Sequence, residues 1–487
     1  MNLFFAGHQE KYAVEQTLLT LFPQERPVYP DTPPGGDNEL VLSFSRGSQW
    51  CTARAVLRRG GKTYVRQCRV AAAELPAEDP VVSTRLTRRT LQRAFYLAAV
   101  DCLGTEPPWG MLSGVRPVKL PTRAMEAGAS PRQAEAMLRD QYRVSPLRRQ
   151  LAMDCAQASL AVKRDLKPQE ISLYVGIPFC PTRCIYCSFV SAATEKSRKL
   201  IPVYLKALEQ EIDAAAEGLK QRPHRIRTVY IGGGTPTTLS AEELRWLLRK
   251  LHSAFDLSEC LEFTVEAGRP DTLNPEKLLT IHEEGATRIS INPQTMDDRV
   301  LAIMGRSHTS GDILRAYDQA VAAGHTDINM DLIAGLPGDT PEGFRHTMEQ
   351  VLSLAPTNIT VHTLALKKAA TLYYEKRATL PTAPMVEEML TYASHSLRAA
   401  GYHPYYLYRQ KYMTGSFENV GWSRHGYDNL YNIYMMEELH SILSLGSGGV
   451  TKTISGTQVS RLTNPKYPQE YIRDIDEICR KKREVIL

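Results

Sequence analysis

The 487-residue sequence lacks the long hydrophobic runs, the repeats and the leader-like segment that mark several classes of protein. No apolar run approaches the roughly 20 residues that a helix needs to cross a bilayer. Residues 1–10 contain no lysine or arginine, and their apolar stretch is too short for a signal peptide. No internal repeat or long low-complexity tract is present. We therefore expect a cytoplasmic protein without a membrane span.

The sequence also has little excess of one charge. Its 59 basic and 53 acidic residues leave a formal net charge of +6. This excess is too small to indicate a nucleic-acid partner, and it is compatible with an acidic small-molecule substrate. With 43% hydrophobic and 23% charged residues, the composition is that of a globular protein. At about 100–200 residues per domain, the length predicts about two to four domains.

The nine cysteines are an odd number, which does not favour a secreted disulfide framework. Three of them, Cys180, Cys184 and Cys187, fall within eight residues and are the first functional signal. The others are scattered, and we expect buried free thiols at these positions. They are Cys51, Cys68, Cys102, Cys155, Cys260 and Cys479.

Residues 1–165 are predicted to form a small α+β module. The segment 22–38 is rich in proline and glycine and is expected to be a loop. Strands and helices follow it, with a hairpin turn at Gly60-Gly61. The predicted strands are 40–44, 49–57 and 62–70, and the predicted helices are 85–103, 131–139 and 147–162.

From residue 166 to 380, apolar strands alternate with amphipathic helices. Such alternation predicts a parallel sheet covered by helices, here a partial (β/α)6 barrel. Residues 381–487 break the pattern, and we expect a separate, mostly helical region there. The predicted barrel strands are 171–177, 228–232, 261–266, 288–292, 327–333 and 358–363. The predicted barrel helices are 202–219, 241–255, 275–284, 309–323 and 341–354.

The three clustered cysteines follow the first barrel strand with the spacing Cys-x3-Cys-x2-Cys. Thiolates bind zinc and iron–sulfur clusters. A structural zinc ion needs a fourth ligand, and the next candidate after Cys187 is His224, beyond the following helix. Three thiolates on a four-iron cluster leave one iron open for a ligand. Three unligated thiols so close together would be an oxidation liability in a loop.

Polar residues lie at the ends of the later barrel strands, where ligand sites of such barrels are found. Glu266 ends the third strand, Gln294 and Arg306 follow the fourth, and Asp331 is in the fifth. The turn at 232–237 is rich in glycine but lacks the Gly-Lys-Ser/Thr of a phosphate-binding loop. It is either a bare turn or a place where the backbone approaches a ligand closely.

The cysteine spacing, with Tyr186 before the last cysteine, resembles the radical S-adenosylmethionine superfamily. The order of Tyr-Val-x-Ile-Pro-Phe-Cys, Gly-Gly-Gly-Thr-Pro-Thr, Gln, Arg and Asp-Leu-Ile-x-Gly-Leu-Pro resembles its oxygen-independent coproporphyrinogen III oxidase-like branch. This resemblance covers roughly residues 171–452. The similarity is greatest to the HemZ-type coproporphyrinogen dehydrogenases of that branch, which share the N-terminal extension.

The resemblance implies two cofactors, a [4Fe–4S] cluster on the three cysteines and S-adenosylmethionine on its open iron. It also implies a low-potential electron donor, which the sequence does not identify. Tyr174 and Tyr186 would pack around the cofactors, and Gly233, Gly234 and Thr235 would meet the methionine part. Glu266 and Arg306 would bind the ribose and carboxylate ends, Asp331 would bind the ribose, and Gln294 would lie near a second cofactor or the substrate.

For such a family member, the first functional hypothesis is a radical oxidoreductase of porphyrin and haem biosynthesis. It would convert coproporphyrinogen III to protoporphyrinogen IX by a 5′-deoxyadenosyl radical. Candidate partners for the tetrapyrrole carboxylates are Arg269, Arg409, Lys411 and Arg424, since guanidinium matches carboxylate geometry. A flat pocket could be lined by Tyr405, Tyr406 and Tyr408.

The alternatives are a haem-binding chaperone of the same fold, or another radical reaction such as methyl transfer. Phe189 stands where the oxygen-independent oxidases have a fourth cysteine, and both the HemZ-type and the haem-chaperone branches have phenylalanine there. The chaperone motif His-Asn-x-x-Tyr-Trp is absent, because residues 427–432 read Tyr-Asp-Asn-Leu-Tyr-Asn. This difference favours the enzyme.

Overall fold

The computed structural model describes residues 1–485 except 34, 77, 190, 221–223, 375–378, 411–413 and 457. The chain divides into two compact units, Met1–Val115 with Ala127–Gln150 and Arg116–Glu126 with Leu151–Leu487. The domain boundaries expected at residues 165 and 380 stay predictions.

The first unit contains a four-stranded sheet of β1 (Asn2–Ala6), β2 (Glu39–Arg46), β3 (Trp50–Arg59) and β4 (Lys62–Ala71), in that order. β1 pairs parallel with β2, and the other pairs are antiparallel. The hairpin turn at Gly60-Gly61 is confirmed, since both glycines have positive φ (60° and 69°). The helices up to residue 165, in both units, are α1 (Lys11–Leu21), α2 (Pro80–Leu103), α3 (Lys119–Glu126), α4 (Pro131–Asp140) and α5 (Pro146–Asp165).

The second unit is built on an 11-stranded sheet that confirms the predicted partial barrel. Its six central strands pair in parallel in chain order. They are β5 (Glu170–Ile177), then, after the short strands β6 (Phe179–Cys180) and β7 (Ala192–Ala193), β8 (Arg225–Gly233), β9 (Glu262–Glu266), β10 (Arg288–Ser290), β11 (Ile328–Ala334) and β12 (Asn358–Thr363).

Helices follow these strands, and some of the helices begin at a residue whose side chain caps the helix N-terminus. Ser240 and Glu243 form a capping box at the start of one helix, and Thr309 and Asp312 form another. Within the described residues, no helix is both long and apolar enough to span a membrane. The barrel helices are α6 (Thr194–Ser197), α7 (Ile201–Lys220), α8 (Ala241–Ala254), α9 (Pro275–Glu283), α10 (Asp298–Ile303), α11 (Ser310–Ala322) and α12 (Pro341–Leu354).

The C-terminal region is not mostly helical, and this expectation is wrong. β14 pairs antiparallel with β12, and β15 pairs parallel with β5, so the region extends the sheet on both sides. Aromatic residues favour strands, and the tyrosine-rich segment His403–Arg409 forms a strand, β13. The elements are α13 (Ala383–Ala399), β13 (His403–Arg409), β14 (Glu418–Ser423), α14 (Leu430–Glu437), β15 (Ile442–Gly446), β16 (Val450–Ser455), β17 (Gln458–Thr463), α15 (Pro468–Arg473) and α16 (Ile475–Glu484).

Candidate functional site

A cavity of about 300 Å³ lies at the carboxyl ends of the parallel strands. Eleven of the residues predicted for the site line it together. They are Cys180, Cys184, Tyr186, Cys187, Gly233, Gly234, Thr235, Glu266, Gln294, Arg306 and Asp331. Residues from five different strand ends and their loops thus meet in one place, as expected for a barrel whose site lies at that end.

The cysteine loop is anchored by backbone hydrogen bonds to segments far away in sequence. The Ile185 N–H donates to the Met304 carbonyl at 3.2 Å, and the Leu372 N–H donates to the Ile185 carbonyl at 2.9 Å. Ile185 and Tyr186 also pack against a buried apolar cluster that includes Leu336. These hydrogen bonds and apolar contacts therefore fix the conformation of the cysteine loop.

The cysteine thiols lie among hydrogen-bond donors that favour thiolate. Thr235 Oγ1 donates to the Cys180 sulfur at 3.4 Å, and an Arg269 N–H donates to the Cys184 sulfur at 3.6 Å. Burial raises the pKa of Cys187 to about 11, and the two neighbouring thiols add to the effect. Bound iron would relieve this cost, because thiolate is the form that binds metal.

Among the described residues, no three His, Cys, Asp or Glu side chains lie close enough together to hold a single metal ion. The three cysteines instead share the wall of one cavity. Thiolates are the protein ligands of iron–sulfur clusters.

The glycine-rich turn after β8 packs against the strand that leads into the cysteines. Gly234 and Thr235 donate backbone N–H groups to the carbonyls of Ile177 (2.8 Å) and Phe179 (2.7 Å). A Cβ on Gly234 would lie 2.6 Å from the Phe179 carbonyl oxygen, so only glycine fits. The close approach in this structure is to the protein backbone, and it sets Thr235 beside Cys180.

Glu266 ends β9 and enters the cavity with a perturbed carboxyl group. Burial raises its pKa to about 7, and the charge of Asp331 adds to the shift. A hydrogen bond from the Tyr230 hydroxyl at 2.7 Å opposes it. At neutral pH this carboxyl group is therefore close to half-protonated.

Tyr174 is predicted to pack around the cofactors, and it does not line the cavity. Its ring stacks with those of Tyr230 and Tyr431, each with centroids 6.3 Å away. The three rings form one aromatic stack, and the Tyr230 hydroxyl of this stack donates the hydrogen bond to Glu266. Tyr174 thus packs in the barrel next to a site residue.

Asp331, in contrast to Glu266, is held in its ionised form. Burial acts to raise its pKa, but hydrogen bonding and charge from His362, with a hydrogen bond from Asn329, outweigh burial and lower it. His362 Nε2 lies 3.7 Å from the Asp331 carboxylate. Sequence reasoning missed His362, although it lies near the end of the predicted sixth strand and could have been found by the same criterion as Asp331.

Gln294 lies in the left-handed region with φ of 68° and is buried. Its backbone N–H donates to the Asp331 carbonyl at 2.9 Å, and its own carbonyl accepts from the Ile333 N–H at 3.0 Å. These bonds tie it to β11 and hold a conformation that is costly for a non-glycine residue. Such conformations cluster at functional sites.

Arg306 is buried and is committed largely to the protein. Its guanidinium donates to the Tyr186 hydroxyl at 3.0 Å and to the His308 ring at 3.2 Å. It also donates to the carbonyls of Gly268 (2.9 Å) and Asn292 (2.8 Å). Four of its five N–H groups are thus engaged, so it positions Tyr186 in addition to lining the cavity.

Arg269 lines the cavity and is paired within the protein, so its role as a partner of a substrate carboxylate stays a prediction. Both oxygens of Asp271 accept from it, at 2.9 and 2.7 Å. Its remaining N–H groups donate to Thr182 and to the Cys184 sulfur. A guanidinium in such a bidentate pair is already satisfied within the protein.

We call the lining residues of the sequence range 180–333 the cysteine wall, and those of 362–419 the second wall. The second wall contains His362, Lys367, Tyr408, Gln410 and Asn419, from β12 and from the segments around β13 and β14. Burial lowers the pKa of the half-buried Lys367. Sequence reasoning missed four of these five residues.

The other proposed substrate partners do not line this cavity. Arg409 is buried and donates to the Ser416 carbonyl at 3.0 Å, and Arg424 lies over the Tyr402 ring. Tyr405 and Tyr406 are buried outside the lining, whereas Tyr408 is part of it. Successive residues of a strand point to opposite faces, which separates Tyr408 from Arg409. Lys411 lies outside the described residues.

Comparison with known proteins gives matches over the region that contains this site. A family profile described as "Radical SAM superfamily" matches residues 174–351. The chain is similar to the oxygen-independent coproporphyrinogen-III oxidase-like protein HemZ of Bacillus subtilis, with 38% identity over 374 residues, which cover 76% of this chain and 75% of that protein. It is also similar to the haem chaperone HemW of the same organism, with 36% identity over 242 residues, 48% of this chain and 62% of that protein.

Among solved structures, coproporphyrinogen III oxidase HemN of Escherichia coli matches with a TM-score of 0.51 and 24% identity. The match covers 66% of this chain and 72% of that structure. At this identity the likeness establishes a shared fold.

Proposed function

We propose a function for this chain from the premise that it belongs to the radical SAM superfamily and, within it, to the family of the oxygen-independent coproporphyrinogen-III oxidase-like protein HemZ. The chain is an oxidoreductase that converts coproporphyrinogen III to protoporphyrinogen IX by oxidative decarboxylation of two propionate groups. The observation that carries the proposal is one cavity lined by three cysteines, by the carboxyl groups of Glu266 and Asp331, and by a lysine.

The cysteine wall holds the two cofactors that the superfamily uses. Cys180, Cys184 and Cys187 hold a [4Fe–4S] cluster, and the remaining residues of this wall bind S-adenosylmethionine. When bound, the reduced cluster supplies the electron that cleaves S-adenosylmethionine and so provides the 5′-deoxyadenosyl radical. Asp331 and Glu266 accept hydrogen bonds from ribose hydroxyls. Because its pKa is lowered, Asp331 is ionised near neutral pH and accepts them as a carboxylate.

The second wall receives the tetrapyrrole. Each propionate must lose a hydrogen atom from its β-carbon, then carbon dioxide and one electron, to become a vinyl group. Lys367 is half-buried at the cavity and has no carboxylate partner among the described residues, so it pairs with a substrate carboxylate. The Tyr408 ring lies against the flat macrocycle. An unidentified low-potential donor supplies the electron that reduces the cluster, and the electron released with each carbon dioxide passes to a separate electron acceptor.

A haem chaperone is the second candidate, and Phe189 is compatible with it. Phe189 lines the cavity and is 66% exposed, which is unusual for a large apolar side chain. An exposed aromatic ring at the cavity suits a planar apolar ligand such as haem. The same contact is available to a porphyrinogen, so Phe189 alone does not separate the two functions.

An anaerobic assay separates them. The reconstituted protein is given S-adenosylmethionine, a strong reductant and coproporphyrinogen III, and oxidised porphyrins are separated by chromatography while carbon dioxide is measured. We expect vinyl products and two carbon dioxide molecules per protoporphyrinogen. Vigorous cofactor cleavage without vinyl product, together with tight binding in a haem titration, would replace the enzyme with the chaperone. Cofactor cleavage with neither result would favour a different radical reaction.

A further inference from the structure

Two arginines from different loops hold the cysteine loop at two points. Arg269 donates to Thr182 Oγ1 from both terminal nitrogens at 3.2 Å and to the Cys184 sulfur at 3.6 Å. Arg306 donates to the Tyr186 hydroxyl at 3.0 Å. The side chains on both sides of Cys184 are therefore fixed by guanidinium groups.

The two arginines are joined by Asp271 and His308 into one polar chain, Arg269–Asp271–His308–Arg306. His308 Nδ1 lies 3.5 Å from the Asp271 carboxylate, and His308 Nε2 lies 3.2 Å from Arg306 Nε. Arginine can only donate, so Nε2 accepts and the ring proton is on Nδ1, directed at Asp271. Burial lowers the pKa of His308, in agreement with this neutral tautomer.

Arg269, Arg306 and His308 of the polar chain are buried, whereas Asp271 is exposed to solvent. Arg269 is 4% exposed and His308 is also 4% exposed. Taking a guanidinium out of water is costly unless it is paired, and Asp271 supplies the pairing charge. The ion pair itself uses only the two N–H groups of Arg269 that face the Asp271 carboxylate. The N–H groups that reach Thr182 and Cys184 are additional, and they are directed at the cysteine loop.

We propose that Arg269 is a positioning residue for Cys184. It holds the cysteine loop ready for the cluster, and its N–H on the Cys184 sulfur stabilises the more negative, reduced state of the bound cluster. Hydrogen bonds to the sulfurs are among the factors that set cluster potentials, and partners of metal ligands orient those ligands. This inference rests on the cluster assigned in the proposed function. It does not depend on the tetrapyrrole.

The test uses the full chain with Arg269→Lys and with Asp271→Asn, reconstituted anaerobically with iron and sulfide. Lysine keeps the charge but loses the planar fork, and asparagine removes the charge that orients it. At a fixed solution potential, we expect a roughly three- to tenfold lower ratio of reduced to oxidised cluster in Arg269→Lys, as for the loss of one charge-assisted hydrogen bond. Asp271→Asn should shift the ratio in the same direction by less. Both variants should also lose iron to a chelator faster than the wild type.

Arg225→Lys is the matched control, because Arg225 forms a similar two-oxygen pair with Glu259 (2.7 and 2.9 Å) at the other end of the barrel. It should keep the wild-type ratio and the wild-type rate of iron loss. Circular dichroism establishes that each variant is folded.

Wild-type potential and chelator resistance in both folded variants would overturn the inference. If these readouts are unchanged while the KM for coproporphyrinogen III rises in Arg269→Lys, Arg269 is a substrate residue after all. The iron content of the wild type separates this failure from failure of the proposed function. If the wild type takes up no cluster, both the proposed function and the role of Arg269 fail. If the wild type takes up the cluster and the variants are unaltered, only the role of Arg269 fails.

Discussion

The two walls of the cavity differ in how the chain builds them. The cysteine wall follows strand ends in chain order, and its chemistry is concentrated in short motifs such as residues 180–187 and 232–237. The second wall depends on β13 and β14, which reach the barrel by antiparallel pairing with β12. Its residues are separated in sequence and carry no motif. The residues of the cofactor site can therefore be recognised from short local motifs. The residues of the substrate side depend on which distant strands pair with the barrel.

The largest expected effect comes from removing the cysteines of the cysteine wall. Changing Cys180, Cys184 and Cys187 together to alanine should abolish iron binding and the brown colour of the reconstituted protein, because no thiolate remains to hold iron. Iron analysis and visible absorption measure this. Cys51→Ser and Cys260→Ser, outside the cavity, are the controls and should bind iron normally. Equal iron content in the wild type and the triple variant would contradict the assignment.

The next effect sharpens the division of labour within the cysteine wall. Glu266→Ala and Asp331→Ala should each weaken S-adenosylmethionine binding about ten- to a hundredfold, since each loses a hydrogen bond to a charged group worth roughly 1.5–3 kcal/mol. Calorimetric titration of the reconstituted variants measures the affinity. Iron content should stay at the wild-type level. Glu259→Ala, an exposed carboxylate at the other end of the barrel, is the control. Normal affinity in both variants would place the ribose elsewhere.

A third prediction tests the second wall directly. Lys367→Met should lower coproporphyrinogen III turnover roughly tenfold, because a substrate carboxylate loses its charge partner. Cofactor cleavage without substrate should persist, since that chemistry belongs to the cysteine wall. Lys368→Met is the matched control, because Lys368 is the exposed neighbour outside the cavity. Equal turnover in the two variants would remove Lys367 from the substrate site.

A smaller effect concerns the pH dependence of stability. Burial raises the pKa of Glu266 from 4.5 to about 7, so between these values the folded state holds a proton that the unfolded state has released. The thermal midpoint of the wild-type apoprotein should therefore fall relative to Glu266→Gln as the pH rises through this window, by a few degrees, and then level off. Scanning calorimetry at several pH values measures the difference. A flat difference for Glu266→Gln would contradict the raised pKa.

The smallest effect is expected at a cation that the sequence suggested for the substrate. Arg424 lies 5.3 Å from the Tyr402 ring centroid and away from the cavity lining. Arg424→Ala should leave turnover unchanged and lower the unfolding free energy by about 0.5–1 kcal/mol, the size of an exposed cation–π contact. A denaturant titration and the porphyrin assay measure the two quantities. If turnover is lost in this variant, Arg424 also belongs to the second wall.

Much of the cysteine wall could be predicted because its signals are local. Apolar strand periodicity placed β5, β8, β9 and β11, and polar residues at their ends identified Glu266 and Asp331. The same criterion would have identified His362. For Arg269 the criterion does not decide the role, because a guanidinium near a strand end looks the same in sequence whether it serves a ligand or a protein carboxylate.

The sequence by itself determined the order of strands and helices and the thiol, glycine and carboxyl groups at the strand ends, because these depend on spacing within a few residues. Only the tertiary structure decided that Asp271 and the cysteine loop occupy Arg269, and that Arg409 and Arg424 lie away from the cavity. It also decided that β13 and β14 complete the sheet and bring Tyr408 to the cavity. Hydrogen-bond partners and strand pairings between distant segments are selected by packing of the whole chain, and no local pattern encodes them.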